Sequence, residues 1–124
     1  MTARFNHTII AAKDTAEMAQ FYRELLEAND LPAWGPFLNL SIGEGVMLQF
    51  AAPPMEFSPN HFAYLLDDAH FDCALATIRN RGYERWADPQ RTRPGEINNE
   101  HDGRGVYLLD PAGHYLELIT QPYL

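Results

Sequence analysis

Cysteine is almost missing from this chain. The single Cys73 leaves no partner for an intramolecular disulfide, and a reducing compartment is expected. Long apolar runs are missing too. No segment approaches the ~18 apolar residues of a membrane span, so no membrane partner is expected. The opening residues, MTARFNHTIIAAKD, hold neither an apolar stretch of signal-peptide length nor a small-residue cleavage site. The expected location is therefore cytoplasmic. Positive charge is scarce: nine Lys and Arg stand against seventeen Asp and Glu, for a formal net charge of −8. A nucleic-acid groove needs clustered cations to neutralise phosphates. The only local concentration, Arg79, Arg81, Arg85, Arg91 and Arg93, is broken up by acids and prolines. What is present is an ordinary globular composition, 46% hydrophobic and 21% charged over 124 residues. That fits one domain spanning residues 1–124, large enough to bury roughly two-thirds of its unfolded surface without a staple.

The same layout occurs twice along the chain. Phe5–Ala12 reads as a short β-branched strand. Asp14 with Glu17 gives an acidic capping box. Met18, Phe21, Tyr22, Leu25 and Leu26 then recur at helical spacing, and the helix is expected to end near Asn29–Pro32. Phe37–Ile42 and Val46–Ala51 are strand-like runs joined by the turn Gly43-Glu44-Gly45. In the second half His61–Leu66 reads as a strand, and Asp68 caps a helix carrying Phe71, Ala74, Leu75 and Ile78, closed by Gly82. Gly105–Leu109 and Tyr115–Thr120 are two further strands around the turn Asp110-Pro111-Ala112-Gly113. His7 and His61 are 54 residues apart, as are Asp14 and Asp68. A shared offset for a strand residue and a helix cap marks an internal repeat, with module 1 over about 1–54 and module 2 over about 60–124. Gln49 lies 42 residues after His7, whereas Glu117 lies 56 after His61. The excess is about the length of the polar loop 87–104, read as an insertion over the site.

Three separated residues carry the chemistry. His7 and His61 begin equivalent strands. Glu117 sits inside the apolar run Tyr-Leu-Glu-Leu-Ile, where an unpaired carboxylate costs several kcal/mol and calls for a cation, a metal or a proton. Strand alternation puts Tyr115, Glu117 and Ile119 on one face, which favours a polar cup for Glu117 over open solvent. Two imidazoles and a carboxylate make a 2-His-1-carboxylate set suited to Fe2+, Mn2+, Ni2+, Co2+ or Zn2+, with positions open to substrate. Gln49 is the only polar residue of Val46–Ala51, a fourth, neutral ligand or a pocket residue. Other readings stand beside these. A histidine in a strand is often a hydrogen-bonded structural residue, and Glu117 could pair with Arg104. His114, in a turn, is expected to be solvated or turn-stabilising. His70 reads as surface and Cys73 as a small buried residue. His101 lies in the polar loop as an acid/base candidate, with a plain loop role as the alternative.

Several segments together resemble the glyoxalase/bleomycin-resistance/dioxygenase superfamily, the vicinal oxygen chelate (VOC) proteins. They are Asn6-His7-Thr8-Ile9, the Asp14–Leu26 helix, Gly45–Phe50, Asn60–Asp68 and above all Gly105–Leu118, with its Asp-Pro-x-Gly-x-x-x-Glu ending. The likeness spans nearly the whole chain. It implies an α+β fold of two βαβββ modules whose mixed sheets form a cup, within one chain or across a homodimer. It also places the metal on His7, His61 and Glu117. At the matching fourth position glyoxalase I has a Glu that belongs to its metal and proton-transfer machinery; here Gln49 cannot act as a base. Extradiol dioxygenases use His, His and Glu around Fe2+, and for their additional catalytic His and Tyr the candidates here are His101, Tyr107 and Tyr115. The resemblance thus implies a metal-dependent protein that binds a small substrate through vicinal oxygens, with dioxygenase-like or lyase/isomerase-like chemistry. The alternative is a metal-free binding protein that sequesters a small molecule, as bleomycin-resistance members do. The loop and the aromatic lining (Trp34, Phe37, Trp86, Tyr107) suit either.

Overall fold

The computed structural model describes all residues, 1–124. They form two compact units, Met1–Ser58 and Pro59–Leu124. Each is a βαβββ unit with one helix and a four-stranded mixed sheet.

The first unit runs β1 (His7–Ala11), α1 (Thr15–Leu26), β2 (Asn29–Trp34), β3 (Phe37–Ile42) and β4 (Val46–Ala51). The strand order is β1-β4-β3-β2, with β1 parallel to β4 and the remaining pairs antiparallel. Asp14 caps α1 by accepting from the Glu17 N–H at 3.0 Å, as the sequence predicts. The apolar stripe Met18, Phe21, Tyr22, Leu25 and Leu26 is buried. It packs on β3 and β4, with the Tyr22 and Phe50 rings 5.0 Å apart. The expected end of α1 is too late. The helix stops at Leu26, Glu27 turns left-handed at φ 51°, and Asn29–Trp34 is an edge strand. Every residue of β2 is exposed, so it has no buried alternation to read, and Pro32 is tolerated because an edge strand leaves one side unpaired.

The second unit runs β5 (His61–Leu65), α2 (Asp68–Arg81), β6 (Arg85–Trp86), a 3-10 turn (Glu100–Asp102), β7 (Gly105–Leu109) and β8 (Tyr115–Ile119). Its strand order, β5-β8-β7-β6, again has one parallel pair, β5 with β8. Asp67 caps α2, not Asp68: its side chain accepts from the His70 N–H at 2.7 Å. The repeat offset of 54 therefore holds for the histidines but slips by one at the helix cap. Asp68 instead works with Asp72 on the helix surface, binding Arg104 at 3.1 and 2.6 Å, and the guanidinium lies over the Phe71 ring. Gly82 closes α2 at φ 69°. Cys73 is exposed, not buried as the sequence suggests.

The polar loop is pinned to the sheet. Asn98 is buried, donates to the Ala87 carbonyl at 2.7 Å and pairs through its backbone with Gly105. A Cβ on Gly105 would stand 2.9 Å from the Asn98 amide oxygen, so a glycine is needed for that close approach.

Candidate functional site

The turn between β7 and β8 sets the site. Asp110 is buried and its carboxylate accepts from the Ala112 and His114 N–H groups, both at 2.9 Å. Gly113 completes the turn at φ 90°. His114 is fully buried rather than solvated, and its Nδ1 accepts from the Asn60 N–H at 2.9 Å. The Tyr115 N–H donates back to the Asn60 carbonyl at 2.8 Å. These two bonds fix the register of the parallel pair, His61 against Tyr115 and Ala63 against Glu117. A slip of one residue would turn Glu117 to the opposite face. The Asp-Pro-Ala-Gly-His segment and the Asn-His dipeptide thus act together to aim two side chains at one point.

At that point His61 Nε2 stands 3.3 Å from Glu117 Oε1. Glu117 is 3% exposed, whereas the His61 side chain is 54% exposed. The other carboxylate oxygen, Oε2, accepts from the Tyr123 hydroxyl. Tyr107 pairs with Glu117 across the antiparallel ladder, and its ring stacks beside His61 with centroids 6.4 Å apart. Burial, reinforced by hydrogen bonding to Tyr123 and Glu117, pushes the Tyr107 phenol well above its usual range. The Tyr123 phenol is raised too, first by its hydrogen bond to Glu117 and then by burial. Both phenols therefore stay protonated and serve Glu117 as neutral O–H donors. Arg104, the alternative partner for Glu117, is engaged by Asp68 and Asp72 instead.

The remaining candidates fall in different places. His7 lies in the first unit at the start of β1, with Nδ1 2.6 Å from the Asn6 side-chain oxygen. That contact makes Nδ1 the N–H nitrogen and leaves the Nε2 lone pair outward-acting, the usual preparation of a metal-binding imidazole. Gln49 is buried on β4 beside Asn39: its Nε2 donates to Asn39 Oδ1 at 3.2 Å, and Asn39 donates to the Pro32 carbonyl at 2.9 Å. Its nitrogen is thereby committed, and the amide oxygen is the atom left with coordinating character. Neither unit on its own gathers three His, Cys, Asp or Glu side chains.

His101 is in the 3-10 turn with a left-handed backbone, φ 56°, and stacks on Tyr123 at 4.1 Å. Tyr115 holds Arg91. In the aromatic lining, Trp34 is exposed and sits edge-on to Phe37 in the first unit, while Trp86 is buried in the second and pairs with Tyr107. Sequence reasoning missed Tyr123 and Asn6. Tyr123 lies past the last strand, where no periodicity applies; Asn6 was visible in the repeated Asn-His dipeptide.

No family model matches the chain. Among solved structures, Oxidase ChaP-H2 is 42% identical, with a TM-score of 0.94 over 99% of this chain and 97% of that one. Glutathione transferase FosA of Serratia marcescens is 27% identical over 124 residues, covering 95% of this chain and 81% of that protein. The fold is shared with a glyoxalase/dioxygenase from Nostoc punctiforme at a TM-score of 0.72 and 22% identity, over 96% of this chain and 91% of that one.

Proposed function

The chain belongs to the glyoxalase/bleomycin-resistance/dioxygenase (VOC) superfamily, and on that premise we propose that it is a metal-dependent enzyme acting on a small molecule with two adjacent oxygens. The observation that carries the reading is the 3.3 Å separation of His61 Nε2 and Glu117 Oε1. Two ligands each about 2.1 Å from one ion, at tetrahedral or octahedral angles, stand about 3.0–3.4 Å apart. The pair has the bite of two neighbouring metal ligands. The donor set also fits a divalent cation, because a carboxylate shut inside an apolar strand gains most from a positive charge at its open oxygen.

In this reading the metal ligands are His61 and Glu117 of one chain and His7 of a second copy. A homodimer supplies what neither unit gathers alone, and the exposed Ile9 and Leu65 on the outer strands β1 and β5 give it apolar surface to bury. Bound there, a divalent metal would act as a Lewis acid towards two vicinal substrate oxygens. The protein's own residues do the rest. Asn6 holds the His7 tautomer. Tyr123 fixes one oxygen of Glu117, so the other is the one presented. Gln49 has no proton to accept or return at neutral pH, which disfavours a glyoxalase I-type proton transfer. Oxidative chemistry is the better match, in keeping with the oxidase relative. His101, Tyr107 and Tyr115 are the residues proposed to meet substrate, and the protein is proposed to work in the cytoplasm.

Metal analysis after reconstitution, followed by oxygen uptake with a catechol panel and with a glutathione hemithioacetal, tests this. The expected result is close to one Fe2+ or Mn2+ per chain, lost in His61→Ala, with oxygen consumption only on the catechol side. Wild-type protein that retains no metal would overturn the reading and favour a sequestering binding protein.

A further inference from the structure

Arg91 is a cation without an acid. The chain holds seventeen Asp and Glu, and two arginines pair with them directly: Arg23 with Asp30, and Arg104 with Asp68 and Asp72. Arg91 instead lies over two aromatic rings, with its guanidinium carbon 5.4 Å from the Trp86 ring centre and 5.0 Å from that of Tyr115, and it donates to the Tyr115 hydroxyl. Its side chain is held there by a costly backbone. Arg91 is left-handed at φ 60°, a region that disfavours a residue with a Cβ. Asp88 enforces it: the Asp88 carboxylate accepts from the Thr92 N–H and hydroxyl and from the Arg93 N–H, and its backbone carbonyl accepts from the Arg91 N–H. Hydrogen bonding to Thr92 accordingly holds the Asp88 carboxyl below its usual range. Asp88, the acid nearest to Arg91 in the sequence, is spent on building the turn, not on neutralising Arg91.

This cation stands on the site face of the second sheet. Tyr115 shares that face with Glu117, about 7 Å along the strand, and is the register partner of His61. Trp86 pairs with Tyr107, which pairs with Glu117. The same face presents Tyr107 and Leu109 on β7 and Tyr115 beside Glu117 on β8, an apolar and aromatic floor next to both Arg91 and the His61–Glu117 pair.

We infer that Arg91 is an anion-binding residue for the substrate, and that the substrate class is a small aromatic carboxylate. A planar guanidinium stacked on rings keeps its in-plane N–H fork for a planar, bidentate partner, which a carboxylate is. The aromatic body covers the floor, and the end remote from the carboxylate reaches His61 and Glu117. The role in turnover rests on the metal-dependent reading above; the anion site itself does not.

Benzoate binding to the metal-free protein, followed through tryptophan fluorescence because Arg91 lies on Trp86, tests the anion site alone. Benzoate is expected to bind at least about tenfold more tightly to wild type than to Arg91→Ala, with Arg91→Lys in between and neutral benzamide not binding measurably. Both variants change an exposed side chain, and an unchanged melting temperature confirms that they fold. Equal benzoate binding in wild type and Arg91→Ala, or equal binding of benzoate and benzamide, would overturn the proposal. A parallel Mn2+ titration separates the two readings. Loss of metal binding in His61→Ala with the benzoate signal intact supports both. Wild type that takes up no Mn2+ in the titration but still binds benzoate through Arg91 sinks only the metal site.

Discussion

The two units place different chemistry on equivalent positions. In the first, β1 pairs parallel with β4 so that His7 meets Met47 and Ile9 meets Gln49; in the second, β5 pairs with β8 so that His61 meets Tyr115 and Ala63 meets Glu117. The antiparallel neighbours match as well, Asn39 against Gln49 and Tyr107 against Glu117. Even the bond that sets the register recurs, from the Met47 N–H to the Asn6 carbonyl and from the Tyr115 N–H to that of Asn60. One scaffold thus offers the same pair of positions twice. The second unit fills them with an imidazole and a carboxylate supported by phenols. The first fills them with an imidazole and an amide supported by another amide. Gln49 donates to Asn39, Asn39 donates to the Pro32 carbonyl, and neither side chain carries a charge, so that end of the repeat buries no ionisable group. Glu117 buries a carboxyl group whose open oxygen still faces His61. The difference teaches that burial is tolerated for a neutral amide pair, whereas a buried carboxyl calls for partners, which Tyr123 and His61 supply here.

Four substitutions probe the comparison. Glu117→Gln copies the first unit into the second and removes the anion; metal affinity is expected to fall by more than about 100-fold, measured by competition with a chromogenic chelator. Gln49→Glu makes the reverse change. It puts a carboxylate beside Asn39 with no cation, and the metal-free protein is expected to lose about 1–3 kcal/mol in urea unfolding, with part restored by added metal. Asn6→Ala frees the His7 tautomer, for an expected loss of about tenfold in metal affinity with little change in melting temperature. Arg104→Ala breaks two exposed ion pairs outside the site. It should cost about 1 kcal/mol or less and leave metal affinity unchanged, as a salt-dependent thermal scan would show.

The elements with a buried face were legible in the sequence. The α1 stripe, the β3–β4 hairpin and strands β7 and β8 all carry buried residues, and β5, with none buried, alternates exposed and half-buried positions. The family likeness is shown as well, and the fold follows it. The two edge strands were not legible: β2 buries nothing and contains Asn, Asp and Pro, and β6 is two residues long. The α2 cap was misplaced because Asp67 and Asp68 are adjacent and either satisfies the pattern. His114 was read by its turn position, whereas a buried turn needs an internal acceptor, and its ring supplies one to Asn60. His61 and Glu117 were both named from the sequence, but the parallel register that brings them together appears only in the structure. The cover on Glu117 did not, because Tyr123 reaches it from an irregular segment, and only the fold brings that segment back.

Anomalous diffraction from crystals grown with Mn2+ or Fe2+ tests the central claim most directly. One ion is expected, bonded to His61 Nε2 and a Glu117 oxygen at about 2.0–2.2 Å, with His7 Nε2 of a second copy completing the set. An ion bound elsewhere, or a His61–Glu117 contact that stays metal-free at saturating concentration, would contradict it.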